Sequence, residues 1–169
     1  MINNKKNPVV ISLGTNIGHR LENLQKAIRL VEEVSVVLKK SNVYITPPWG
    51  YSSTNFFLNM GVIIETNFSP ELLLKELKSI ELKMGRVKSK KNEYVDRLID
   101  LDILFYNDLE MNSKDLKIPH PKIAERKFSI VVLKDLYGES ELPILGKTAD
   151  DLLIETKDIS TLKLYKNQI

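Results

Sequence analysis

The feature of this sequence that most constrains its fold is an apolar strand interrupted by two aspartates. Residues 98–106 are rich in Leu, Ile and aromatic side chains and are followed by the turn residues Asn107 and Asp108, which predicts a strand. Because side chains alternate along a strand, Asp100 and Asp102 leave the same face, roughly 6–7 Å apart. Two carboxylates on one rigid face suit one or two hard cations that bridge phosphates. A solvated strand face is the alternative that this short motif leaves open.

A basic segment precedes this strand and indicates a polyanionic partner. Residues 85–97 contain five Lys or Arg and two Asp or Glu, although the whole chain carries a net charge of only +3. Such a local concentration of positive charge favours nucleic acid or a nucleotide as the ligand. The glycine-containing turn at residues 14–18 is neither a Walker loop nor a dinucleotide fingerprint.

Length and composition favour one soluble domain spanning residues 1–169. The chain has 169 residues, which is enough for a single core, and it has no cysteine, which excludes disulfides and thiolate metal sites. Its first residues lack the apolar stretch of a signal peptide, and no apolar run approaches the roughly 20 residues that span a bilayer. We therefore expect a cytoplasmic protein that does not bind membranes.

The order of predicted elements is β-α-β-β-α-β followed by more helix. Apolar and turn patterns predict strands at residues 8–13, 36–45, 56–66 and 98–106, and helices at 19–34, 69–84, 126–137 and 149–154. Ser69 is the predicted cap of the second helix and Gly85 its stop. This order predicts an α+β, ferredoxin-like fold with a four-stranded antiparallel sheet, helices on one face and C-terminal helical additions.

Several short motifs, taken in order, resemble one family. They read SLGTN at 12–16, YITPP at 44–48, FLN at 57–59, IE at 80–81, GRV at 85–87, DRLIDLDIL at 96–104 and PH at 119–120, with Arg126 and Phe128 beyond them. This series resembles the 6-hydroxymethyl-7,8-dihydropterin pyrophosphokinases of folate biosynthesis over nearly the whole chain. The resemblance implies transfer of the terminal pyrophosphoryl group of ATP to the hydroxymethyl oxygen of the pterin, with AMP as the second product.

The resemblance also implies a role for each matching residue. Two Mg²⁺ ions are expected on Asp100 and Asp102, and Arg86 and Arg97 are the expected catalytic residues, since guanidinium groups bind phosphate oxygens in pairs. The positions that match ATP-binding residues are Lys78, Glu81, Arg86, Lys88, Arg97, Ile103, His120 and Arg126. The positions that match the pterin pocket are Thr46, Pro47, Trp49, Phe57, Asn59, Asp100 and Phe128. A flat bicyclic ring needs aromatic faces and an amide at its edge, which this second set supplies.

The basic segment departs from the family pattern, and two other functions stay open. The family's basic-x-Gly-Pro-Arg is here EYVDR at 93–97, and Lys88 stands where arginine is common. A ferredoxin-like RNA-binding module is one alternative, although its usual aromatic sheet motif is missing from the sequence. A metal-dependent phosphohydrolase is the other. For the preferred function, the expected partners are ATP and a reduced pterin, with no nucleic acid, and the expected state is a monomer.

Overall fold

The computed structural model describes residues 6–86 and 95–169, and an antiparallel sheet organises this part of the chain. The strands are β1 (Asn7–Thr15), β2 (Val36–Lys40), β3 (Tyr44–Thr46), β4 (Phe57–Thr66), β5 (Asp100–Tyr106), β6 (Met111–Asn112), β7 (Lys117–Ile118) and β8 (Lys163–Leu164). The helices are α1 (Arg20–Glu32), α2 (Pro70–Lys83), α3 (Lys127–Tyr137) and α4 (Ala149–Glu155). None of the helices in these described ranges is long and apolar enough to cross a membrane.

The main sheet has six strands in the described residues, so the predicted number of four is wrong. Its order is β5-β1-β4-β3-β8, and β2 also pairs with β4. The predicted strand at 36–45 divides into β2 and β3 because the pairing with β4 is irregular there: Lys40 faces Val62, but Tyr44 faces Asn59. The sixth strand, β8, comes from the C-terminal tail and pairs with the free edge of β3. The predicted α+β class with an antiparallel sheet is confirmed.

Helices cover both faces of the sheet, which corrects the prediction that they lie on one face. On one side, α1 and α2 pack against Ile11, Ile64, Leu101 and their neighbours to form the larger core. On the other side, α3 and α4 pack against Val10 and Phe105 in a second core. Successive side chains of the central strands point to opposite faces, and both sets are apolar. A strand that is apolar on both faces needs helices packed on both.

Local signals in the sequence set the ends of the helices. The Ser69 side chain accepts a hydrogen bond from the Leu72 amide, and Pro70 occupies the first turn of α2, as predicted. Helix α3 is capped from a distance, because the carboxylate of Asp158 in the C-terminal tail accepts a hydrogen bond from the Lys127 amide. Phe128 belongs to the first turn of α3, so this cap also fixes the position of Phe128.

Gly61 on β4 permits the close approach of α3 to the sheet. A Cβ atom on Gly61 would lie 2.4 Å from Cγ1 of Val132 and 3.2 Å from Cδ1 of Leu136. Such distances are too short for packed carbon atoms, and overpacking of this kind costs about 1–3 kcal/mol.

We predict that Gly61→Ala lowers the free energy of unfolding by about 1–3 kcal/mol. Because the clash is with Val132, the double variant Gly61→Ala/Val132→Ala should be more stable than the sum of the two single changes implies. Denaturant unfolding of the four proteins measures this coupling. Additive effects of the two changes would show that the side chain of Val132 is not what excludes a Cβ atom at residue 61.

Candidate active site

A pocket opens on the sheet face that carries α3, beyond the first turn of that helix. On this face, successive cross-strand rows change from apolar to polar. The row centred on Val10 lies under α3 and α4, but Ser12 pairs with Asp102, and Gly14 pairs with both Asn59 and Asp100. The small side chains of β1 therefore leave room above the sheet between an amide and two carboxylates. The lining consists of Ser12, Gly14, Thr46, Pro47, Trp49, Tyr51, Phe57, Asn59, Arg97, Asp100, Asp102, Arg126 and Phe128.

Asp100 is held by two arginines that approach it from different segments. Nη1 of Arg86, just after α2, lies 2.6 Å from Asp100 Oδ1, and Nη1 of Arg97 lies 2.8 Å from Oδ2. Both arginine side chains are largely buried, with exposed fractions of 25% for Arg86 and 12% for Arg97. Ion pairs with this little exposure are screened far less than surface pairs. The two predicted catalytic arginines therefore meet at one predicted metal ligand.

Asp102 has a different electrostatic environment from its neighbour on the strand. Burial raises the pKa of the Asp102 carboxyl, and the charge of Asp100 raises it further. Burial acts in the same direction on Asp100, but Arg97 and Arg86 outweigh it and lower the pKa of that carboxyl. Among the described residues, no hydrogen bond or ion pair engages the Asp102 carboxylate. Within the described residues, the pair thus combines an acid held in two ion pairs with one on which Lys78, His120 and Arg126 act only through their charges.

A third acid, Glu81 on α2, anchors the arginine side of the site. Its side chain is 3% exposed and lies 2.7 Å from Arg86 Nη1 and 3.0 Å from Lys78 Nζ. It also accepts a hydrogen bond of 2.7 Å from the Leu101 amide on the outer edge of β5. Burial raises the pKa of Glu81, and the charges of Lys78 and Arg86 oppose that rise. Because two cations and an amide hydrogen converge on one oxygen, we assign Glu81 as a carboxylate that orients Arg86.

The opposite wall carries the residues predicted to bind a ring. Asn59 is 6% exposed, and its Nδ2 donates to Oγ1 of Thr46 at 2.7 Å. Its Oδ1 lies against Gly14, where a Cβ atom would approach to 2.5 Å. The absence of a side chain at Gly14 is therefore what lets this amide stand at the base of the pocket.

Aromatic rings in the wall are paired with cations. The indole of Trp49 is partly exposed, with the Arg126 guanidinium 4.9 Å and the Lys122 ammonium 5.6 Å from its ring centroid. The Arg97 guanidinium lies 5.9 Å from the ring of Phe57. These distances fall within the range of cation–π interactions.

His120 lies on the far side of Asp102 from the arginine pair. Its Nδ1 accepts a hydrogen bond of 3.1 Å from the Lys122 amide, which leaves Nε2 as the protonated nitrogen of a neutral ring. Burial lowers the pKa of His120, and the charge of Asp102 opposes that shift. At neutral pH this histidine is therefore a neutral hydrogen-bond donor rather than a cation.

The structure brings most of the predicted site residues together, with two exceptions. All residues of the predicted pterin-binding set line the pocket, and so do Arg97, Arg126 and Asp102 from the other sets. The predicted residues that lie near the two acids but outside the pocket lining are Lys78, Glu81, Arg86 and His120. The Ile103 side chain is 2% exposed and packs in the core on the opposite face, so only its backbone is available to a nucleotide. Lys88 lies outside the described residues. Sequence reasoning missed Ser12, Gly14 and Tyr51; the alternation of small and polar side chains along β1 was a signal for the first two.

The donor set around the acidic pair fits a hard cation that also binds phosphate. Asp100 and Asp102 present carboxylate oxygens to the same pocket, and hard divalent cations prefer such oxygens. No group of three or more His, Cys, Asp or Glu side chains suited to a metal occurs in residues 6–86 and 95–169. Beside nucleotides, Mg²⁺ is commonly held by one or two carboxylates together with phosphate oxygens and water, and the Asp100–Asp102 pair suits that mode of binding.

Paired carboxylates and converging arginines beside an aromatic pocket are the parts of a site that handles phosphate next to a small planar molecule. Comparison with known proteins identifies the family within this class of site. The family described as 7,8-dihydro-6-hydroxymethylpterin-pyrophosphokinase (HPPK) matches residues 10–138, which is more than half of the chain. The chain belongs to this family, and the predicted family is confirmed.

Individual relatives agree with this assignment. The chain is 35% identical over 157 residues to the 2-amino-4-hydroxy-6-hydroxymethyldihydropteridine pyrophosphokinase of Aquifex aeolicus, covering 93% of this chain and 94% of that protein. It is 39% identical over 168 residues to the folic acid synthesis protein fol1 of Pneumocystis carinii, covering 95% of this chain. That alignment covers only 22% of the Pneumocystis protein, so the chain spans less than a quarter of that relative.

Solved structures share the fold. A crystal structure of a Plasmodium falciparum HPPK-DHPS triple mutant with STZ-DHP superposes with a TM-score of 0.74 at 20% sequence identity. The superposition covers 92% of this chain and 44% of the Plasmodium chain. At this level of identity the likeness establishes the architecture and nothing finer.

Trp49 is the only tryptophan in the chain, so its fluorescence reports on this wall alone. We predict that Arg126→Ala increases quenching of Trp49 by acrylamide, because the cation that covers the indole is lost together with about 0.5–1 kcal/mol of interaction. Lys134→Ala is the matched control, because Lys134 lies farther along α3 and pairs with Asp150 on α4. Equal quenching of Trp49 in wild type and Arg126→Ala would contradict the contact seen here.

Proposed function

We propose that this chain transfers the terminal pyrophosphoryl group of ATP to the hydroxymethyl oxygen of 6-hydroxymethyl-7,8-dihydropterin in folate biosynthesis. A bond forms between that oxygen and the β-phosphorus, and the bond from the β-phosphorus to the oxygen of the α-phosphate breaks. The products are AMP and the pterin diphosphate, and the hydroxyl proton is released. The observation that carries the proposal is that one pocket contains both an aromatic wall and the two acids. We call the wall formed by Thr46, Trp49, Phe57, Asn59 and Phe128 the ring-binding wall. The acids are Asp100, which pairs with two arginines, and Asp102.

The ring-binding wall suits a pterin. Asn59 combines a donor and an acceptor at the pocket base, which matches the alternating donors and acceptors along the edge of a pterin ring. Phe57, Trp49 and Phe128 offer aromatic surface for its faces. A ring bound there would direct its substituent across Gly14 toward the acidic pair, since Gly14 separates Asn59 from Asp100 in the sheet. Substrate position alone would then supply much of the acceleration.

Asp100 and Asp102 would hold Mg²⁺, and we propose two ions bound together with ATP. When bound, the ions neutralise polyphosphate charge and polarise the phosphorus–oxygen bonds. Arg86 and Arg97 already lie at the pair, where their guanidinium forks can exchange a carboxylate partner for phosphate oxygens. Glu81 keeps Arg86 near that position, and neutral His120 can donate from Nε2 to a phosphate oxygen. Charge that develops on the leaving phosphate would be stabilised by groups already in place.

Four finer assignments belong to the same proposal. The order β5-β1-β4, with β2 and β3 both along β4, supports a ferredoxin-like core. A single domain over residues 1–169 is compatible with the length of the chain, and a cytoplasmic location and a monomeric state are the other two assignments. The RNA-binding alternative is disfavoured, because α1 and α2 cover one face of the sheet and α3 and α4 cover much of the other. The acidic pair would also repel nucleic acid phosphates.

The test is formation of AMP from ATP in the presence of Mg²⁺, with and without the reduced pterin. We predict AMP only when pterin is present, and a fall of several orders of magnitude in turnover for Asp102→Asn, which keeps the shape of the side chain but removes its charge. Asp108→Asn is the matched control, because Asp108 is exposed just beyond the same strand. AMP formed without pterin would indicate a hydrolase, and near-normal turnover of Asp102→Asn at saturating Mg²⁺ would remove the metal assignment.

A further inference from the structure

Asp96 stands one residue before Arg97 and accepts hydrogen bonds from four side chains. Its Oδ1 receives Nδ2 of Asn16 at 2.7 Å and the hydroxyl of Tyr51 at 3.0 Å. Its Oδ2 receives Oγ of Ser53 at 2.9 Å and Nδ2 of Asn55 at 2.5 Å. Three of these donors belong to the 51–55 loop, and the fourth follows the end of β1. One carboxylate thus joins three separate segments of the chain.

The contact with Asn16 extends this junction to the backbone of Arg97. Because Nδ2 of Asn16 is directed at Asp96, its Oδ1 faces the other way and accepts the Arg97 amide at 2.7 Å. The backbone amide of Asn16 in turn donates to the Arg97 carbonyl at 3.1 Å. Both polar groups of the Arg97 backbone are therefore held by one residue, whose side-chain orientation is set by Asp96.

Both ends of this junction reach the pocket. The Arg97 guanidinium pairs with Asp100 at 2.8 Å, and the Nε of Arg97 donates to the Val95 carbonyl at 3.0 Å. Tyr51 lines the pocket on the side of the ring-binding wall. Asp96 itself is not part of the lining, so any influence on a reaction must pass through its partners.

We propose that Asp96 is a positioning residue that fixes the 51–55 loop and Arg97 relative to one another, so that the ring-binding wall and the catalytic arginine keep one geometry. This role rests on the proposed pyrophosphoryl transfer, in which the pterin lies on one side of the junction and the polyphosphate on the other.

A carboxylate is the side chain that this junction requires. All four partners donate, and an ionised carboxylate offers about four acceptor positions and no donor. Burial opposes ionisation of Asp96, but the hydrogen bonds from Ser53 and Asn55 and those from its other partners outweigh it, so its pKa is lowered. Asparagine has the same size, yet its amide group would place a donor against donors. A loss of alignment on the scale of 1 Å can cost on the order of 10²-fold in rate.

The test measures steady-state AMP formation for Asp96→Asn, Asp96→Ala and Ser53→Ala. We expect kcat to fall roughly 10- to 100-fold in both Asp96 variants, with a higher KM for pterin. Ser53 is not part of the pocket lining and supplies one of the four donors to Asp96, so Ser53→Ala should lower kcat less. In the Asp96→Ala background it should add little, because only its hydrogen bond from the Asn55 amide is left to lose. Ser52→Ala, an exposed neighbour on the same loop, is the matched control and should behave as wild type.

Hydrogen exchange separates a positioning role from a general loss of structure. In Asp96→Ala we expect faster exchange at residues 51–55 and at the Arg97 amide, with exchange in the core strands β1 and β4 unchanged. Faster exchange at both segments with kcat within twofold of wild type would overturn the positioning role, as would independent, multiplicative effects of the Ser53 and Asp96 changes. Absence of pterin-dependent AMP from the wild-type protein would instead overturn the proposed function itself.

Discussion

The charge balance around two neighbouring carboxylates on β5 is the interaction on which the rest of the site depends. Asp100 and Asp102 share one face of a strand, and only Asp100 is compensated within the described residues, by Arg86 and Arg97. A buried like-charge pair is unfavourable unless counter-charges are fixed nearby. Much of the surrounding structure holds those counter-charges. Glu81 orients Arg86 from α2, and Asn16 holds the Arg97 backbone from the end of β1. Within residues 6–86 and 95–169, the site therefore combines one carboxylate that forms no ion pair with two arginines that can change partners.

The sheet makes this arrangement possible by changing character along one face. Where α3 and α4 cover it, the face is built from Val10 and Phe105, and Gly61 lets α3 approach closely. Two rows further along, Ser12 and Gly14 replace bulky residues on the central strand, and the helices no longer cover the sheet. The same strands therefore supply a packed core at one end and a ligand pocket at the other. Rigid strands position side chains more closely than loops do, which suits a reaction that depends on alignment and preorganised charge.

Sequence patterns predicted the parts of this structure that depend on local periodicity. The α+β class, the apolar stripes of α1 and α2, the Ser69 cap and the shared face of Asp100 and Asp102 all follow from spacing along the chain. The errors arose where distant segments decide the outcome. β8 exists because the C-terminal tail meets the edge of β3, and the Asp96 junction joins residues 41 to 80 positions apart. A motif match names a position such as Ile103 without saying whether its side chain or its backbone faces a ligand, and here the side chain lies in the core. Motif matching did collect the residues predicted to bind the pterin into one set, and all of them line one pocket.

If a pyrophosphoryl group moves intact from ATP to the pterin, the β-phosphorus must move with it, and a label on that atom shows where it goes. ATP labelled at the β-phosphorus is incubated with the protein, Mg²⁺ and 6-hydroxymethyl-7,8-dihydropterin, and the products are separated and counted. We expect all transferred label in the pterin diphosphate, unlabelled AMP, and one AMP for each pterin product. Label that remains in ADP, or that appears in inorganic phosphate or pyrophosphate, would contradict it.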